Sequence, residues 1–140
     1  MKNNLDVAAM LLRIAREDQQ VFLLLAQQGD VFLRQAFFHA QQAVEKAIKA
    51  VLTAKGFATR KTHDLEELYG NLEGVGTRCP VDLDMLSQLA PYAALFRYDD
   101  TDIPRLDRTT ASLIVSRVME WAAAQVEGQQ PNHPGKTDTP

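Results

Sequence analysis

From Leu5 to Glu127 the apolar positions recur with a helical period, and no stretch alternates as a strand would. The clearest stripe belongs to the segment Asp30–Lys55. On a wheel at about 100° per residue, Leu33, Phe37, Ala40, Val44, Ala47, Ile48 and Val51 share one face. Gln35, Gln42, Glu45 and Lys49 fall on the other. Phe38 breaks the pattern, about 160° from the centre of the apolar stripe and among the polar set. Gly29-Asp30 reads as a tight break with Asp30 as N-cap, Gly56 as the C-terminal stop, and Lys55 as a complement to the helix dipole.

The rest of the chain extends this pattern to about five helices. Leu5–Gln28 carries a main stripe of Val7, Met10, Leu11, Ile14, Val21 and Leu25, with Leu5, Leu12 and Leu23 nearly opposite. A helix apolar on two sides is either central or touches a partner chain. Asp18 falls on the main stripe, and if enclosed it needs a basic or hydrogen-bonding neighbour. A short helix from about Asp64 to Leu72 has Asp64 as its cap and Glu66 and Glu67 in its first turn. Glu73–Pro80 is a loop. In the segment Val81–Tyr98, Pro91 predicts a kink or a split. Asp107 then caps a last helix that runs to about Glu127. The expected fold is all-α, an up-and-down bundle spanning residues 1–127, with Asp30–Lys55 the most buried helix. Residues 128–140, which hold three of the six prolines, read as a disordered tail.

Composition narrows the function little. The net charge of −3 argues against general adhesion to nucleic-acid backbones but leaves room for a local basic patch. The single cysteine, Cys79, excludes an intramolecular disulfide, which fits a cytoplasmic setting. No secretory signal and no membrane-spanning run is apparent, so no membrane partner is expected.

One ordered set of residues is more specific. The helix segment Gln41–Ala50, reading QQAVEKAIKA, is followed by Gly56, a basic loop, and His63-Asp64-Leu65. In this order the set resembles the signature of the HEPN domains, small helical domains, and with its flanks the resemblance covers Leu5 to Val126. It implies a homodimer, nucleotide or nucleic-acid contacts in a cleft, and often a separately encoded minimal nucleotidyltransferase as partner. Many HEPN domains are ribonucleases that use an arginine and, five to seven positions later, a histidine from each subunit across the dimer cleft. Such chemistry needs a proton acceptor for the 2′-hydroxyl and a cation for the developing phosphorane charge. Here Arg97 occupies the arginine position, but positions 102, 103 and 104 hold Asp102, Ile103 and Pro104. The motif lacks its histidine, and no catalytic residue is assigned. The string Arg34…His39 has a similar spacing, but its members diverge by about 140° on one helix and read as chance.

The candidate ligand site is a polar cleft of His39, Gln42, Lys46, Arg97 and Tyr98, against the plainer reading of His39 as a locally bonded flank residue and of Arg97 as an ion pair or helix cap. Arg60, Lys61 and His63 form a second candidate anion site near a helix start, against a purely structural role for His63 in that start. Phe38, Leu12 and Leu23 are the candidate dimer interface, against packing within one chain. Asp99, Asp100 and Asp102 read as a solvated acidic turn rather than a metal loop, and no metal or cofactor is expected. Three functions compete: a non-catalytic, nucleotide- or RNA-binding HEPN dimer in a toxin–antitoxin-like or related system, a toxin-type ribonuclease with an unusual residue set, and a structural dimer with no ligand.

Overall fold

Short polar side chains fix where most of the helices begin. The computed structural model describes residues 3–59, 61–94 and 106–128. Helix α1 (Asn4–Ala26) opens with a capping box, in which Asn3 accepts from the Asp6 amide at 2.9 Å and Asp6 accepts from the Asn3 amide at 3.3 Å. Helix α3 (Leu65–Gly74) is capped by Asp64, which accepts from the Glu66 and Glu67 amides. Helix α4 (Leu83–Ser87) is capped by Asp82, and α5 (Arg108–Glu127) by Asp107 at 2.6 Å from the Thr110 amide. Helix α2 (Leu33–Ala54) differs. It starts at Phe32 with no side-chain cap. The expectation that Asp30 caps it is wrong, because the Asp30 carboxylate is taken by Arg108 Nη2 at 2.7 Å.

Glycine sets two of the helix ends. Gly56 has φ of 83°, and the Phe57 amide reaches back to Leu52 O at 2.9 Å, satisfying a carbonyl that the helix leaves open. Gly76 repeats the device after α3 with φ of 73°.

Helices α1 and α2 form a hairpin, and α5 lies against both. At the start of α5, Arg108 Nε donates to Ala26 O at 2.9 Å. Near its end Glu127 accepts from Arg16 at 3.1 Å. These two ties make α5 antiparallel to α1 and therefore parallel to α2. The chain between α2 and α5 must return to the starting end, and α3, α4 and a 3-10 turn (Ala90–Tyr92) carry it there. Tyr92 of that turn packs edge-on to Phe37 of α2 at 5.2 Å. The fold is all-α, with no strand among the described residues.

Twelve of the 22 residues of α2 are buried, more than in any other helix, so it is the axis of the bundle. The apolar contribution is concentrated there and in its neighbours. Leu12, Phe22, Ile48 and Ile114 are fully enclosed, each worth about 1.5–3 kcal/mol relative to exposure.

Two wheel readings need correction. On α1 the buried line is Ala8, Leu12, Ala15 and Phe22, and the residues read as its main stripe are only partly covered. Leu12, 2% exposed, is core and cannot belong to a surface patch. The reason is that α1 packs on both α2 and α5, so the covered line lies between its two apolar sides. On α2, Glu45 is buried, although the wheel sets it on the polar face. The segment Val81–Tyr98 is split as Pro91 predicts. Among the described residues of this segment only Leu83–Ser87 is α-helical and Pro91 lies inside the 3-10 turn; residues 95–98 lie outside the described residues. Among the described residues no helix is long and apolar enough to cross a membrane.

Candidate functional site

The polar face of α2 is built around two carboxylates. The first comes from α1. Asp18, with its side chain 12% exposed, accepts from Lys46 Nζ at 2.6 Å and meets His39 Nδ1 at 2.9 Å. His39 and Lys46 are seven residues apart on α2, two turns, so they stand on one side and a single carboxylate from the facing helix reaches both. Asp18 thus has the basic partners its position demands. The His39 and Lys46 side chains remain 29% and 27% exposed, so each keeps a water-facing part. Phe38 is half-buried and sets its ring edge-on to His39 at 5.2 Å.

The second carboxylate is Glu45, whose side chain is 3% exposed. It accepts from Lys49 Nζ at 2.9 Å, and both its oxygens lie 3.0–3.1 Å from His63 Nδ1. Gln41 Nε2 donates to it at 3.1 Å. Gln41, Glu45 and Lys49 are successive i,i+4 neighbours, which is why one helix face presents all three. A bare carboxylate so enclosed would be costly, and two cationic-capable partners and an amide offset that cost. His63 sits immediately before the Asp64 cap, so this cluster pins the start of α3 to the middle of α2. Gln42 adds to this cluster through its Nε2, which donates to Gln41 Oε1 at 2.7 Å.

Of the expected ligand cleft, His39 and Lys46 are brought together by Asp18, and Gln42 stands between them in sequence. Arg97 and Tyr98 lie outside the described residues. In the second anion site, His63 is turned toward Glu45 through Nδ1, with its side chain 68% exposed. Lys61 is exposed, and Arg60 lies outside the described residues. Asp99, Asp100 and Asp102 also lie outside them. The Glu45 cluster was not anticipated as a unit. The i,i+4 spacing of Gln41, Glu45 and Lys49 was its available signal; the contact with His63 is tertiary.

Of the expected dimer patch, Leu23 is exposed and Phe38 half-buried. Larger exposed apolar surface lies beside Leu23. Leu24 is 63% and Val31 78% exposed, and Phe32 is open as well, all around the α1–α2 turn.

These features define an all-α bundle whose central helix carries a partly covered polar face, held on one side by α1 and on the other by the approach to α3. The model of the HEPN domain family matches residues 8–126, and the chain belongs to that family, as its residue signature implies. No curated protein and no solved structure matched the chain.

Proposed function

We propose that this HEPN-domain protein is a non-catalytic homodimer that binds a nucleotide or nucleic acid along the polar face of α2 and works with a minimal nucleotidyltransferase in a toxin–antitoxin-like or related system. The observation that carries the ligand reading is the Asp18 cluster. One enclosed carboxylate holds His39 and Lys46 in place while leaving parts of both open to water. Phosphate recognition rests on charge-assisted donors, and donors already ordered lose less entropy on binding. Arg97 and Tyr98, which lie outside the described residues, belong to the proposed cleft on the sequence reading alone. The absence of a histidine at positions 102–104 supports a non-catalytic role. The exposed apolar residues Leu23, Leu24, Val31 and Phe32 support a two-fold pairing at the α1–α2 turn. The nucleotidyltransferase partner rests on family resemblance alone.

A second reading has its own support. A carboxylate on Nδ1 fixes an imidazole with its lone pair on Nε2, the arrangement of a general base, and Asp18 stands in that relation to His39. This favours the ribonuclease alternative over the ligand-free dimer.

The test is a labelled oligoribonucleotide incubated with wild type, Lys46→Ala and His39→Ala. Wild type should bind it saturably and leave it intact, and Lys46→Ala should bind roughly ten- to hundredfold more weakly, as loss of a charged hydrogen bond implies. Cleavage that disappears in His39→Ala or Arg97→Ala would establish the ribonuclease. No binding, together with no effect of nucleotides on Tm, would leave a dimer without a ligand. Sedimentation of a Leu24→Asp, Val31→Asp double variant should give a folded monomer. If wild type is itself monomeric at tens of micromolar, the dimer reading is wrong.

A further inference from the structure

The loop after α3 builds a cavity that the α2 polar face does not use. Gly76 turns the chain, and residues 77–80 then pass the C-terminal end of α2 beside α5. The recess between them, about 510 Å³, is shallow and largely open to solvent. Its wall includes Lys55 from the end of α2, Arg78 from the loop, and Trp121 and Gln125 from α5, with no aspartate or glutamate among the lining residues; the carboxylate of Glu73 lines the adjoining recess on the other side of the loop. Neither the Lys55 nor the Arg78 side chain has an ion-pair or hydrogen-bond partner among the described residues; Arg13, Lys61 and Arg117 share that state, but Lys55 and Arg78 are the two that line one recess together. Trp121 is partly buried, and its indole N–H bonds to no other side chain or backbone group described. Lys55 lies nine residues beyond Lys46, about 13 Å along the helix, so this is a separate place on the bundle.

We infer that this cavity is a second ligand site, for a planar aromatic group that carries a phosphate monoester, with Trp121 stacking on the ring and Lys55 and Arg78 holding the phosphate. Two unpaired positive charges in a wall without a carboxylate match a dianion; a single carboxylate would leave one of them unanswered. The indole offers the only large aromatic face in the wall, and base–aromatic stacking tolerates any ring. The Gln125 amide both donates and accepts, and so can read a ring edge. The inference stands on residues outside the proposed α2 cleft, and either can fail without the other.

Trp121 is the only tryptophan of the chain, so tryptophan fluorescence has its single source in the wall of this site. Titration with AMP should quench it saturably. Inorganic phosphate should compete with AMP while quenching little, and adenosine should bind at least tenfold more weakly than AMP. A Lys55→Ala, Arg78→Ala double variant, with its helical circular dichroism intact, should lose at least tenfold in AMP affinity. Absence of saturable quenching up to about 10 mM AMP, weaker than any functional affinity, would overturn the site. Equal affinity for adenosine and AMP would overturn the role given to the two cations. Quenching lost in Lys46→Ala but kept in the double variant would move the ligand to α2 and overturn the inference.

Discussion

Replacing Glu45 with alanine probes the tie between α2 and the start of α3. The carboxylate is almost wholly enclosed and serves Lys49, His63 and Gln41 at 2.9–3.1 Å. Removing one partner of a fully buried ion pair costs about 3–5 kcal/mol, chiefly because the other charge is left without a counterpart. Two features lower that figure here. The Lys49 side chain is 13% exposed and can redirect its ammonium along its flexible stem, and His63 is 68% exposed and regains water readily. The expected loss is therefore about 2–4 kcal/mol, or roughly 10 °C in Tm for a chain of this size. Urea unfolding followed by circular dichroism measures it. Hydrogen exchange adds a local readout, since the Leu68 amide, which donates to Asp64 O, should lose protection beyond the global change. His63→Ala should cost no more than about 1 kcal/mol, because an exposed partner contributes little. A Glu45→Ala loss below about 1 kcal/mol, no larger than that of His63→Ala, would refute the reasoning.

Leu12→Ala should cost about 2–5 kcal/mol and Leu23→Ala about 0.5 kcal/mol or less in the same denaturant assay, since the first leaves a core cavity and the second a surface change. Asp107 is held below the usual carboxylate pKa by the Thr110 amide, so its cap stabilises α5 above that range, and the stabilisation is lost as pH falls through the lowered value. Asp107→Ala should therefore melt below wild type at neutral pH, with the two curves converging as pH falls through the lowered pKa, whereas Asp107→Asn should keep the cap. Burial pushes the Cys79 thiol above its usual pKa, so maleimide labelling at neutral pH should be slow and should accelerate on unfolding.

How much of this was legible in the sequence depended on whether local or tertiary contacts decide the outcome. Caps are local, so Asp64 and Asp107 could be read directly, as could the Gly56 stop and the break at Pro91. Asp30 looked like a cap by the same rule, but a distant arginine, Arg108, claims its carboxylate. The wheel of α2 located its apolar face but could not show that the polar face is covered as well, by α1 through Asp18 and by His63 across Glu45. The odd position of Asp18 was the most informative signal for the candidate site. A carboxylate on an apolar stripe demands a partner, and the facing helix supplied His39 and Lys46. Leu12 was misread because a helix packed on two neighbours has no single buried face.

The proposed α2 cleft is tested most directly by titrating a short oligoribonucleotide into the isotope-labelled protein and following amide and side-chain shifts. The account predicts saturable changes centred on His39, Gln42 and Lys46, greatly reduced in Lys46→Ala. Shifts that are absent, or that cluster only at Lys55, Arg78 and Trp121 or only in residues 129–140, would contradict it.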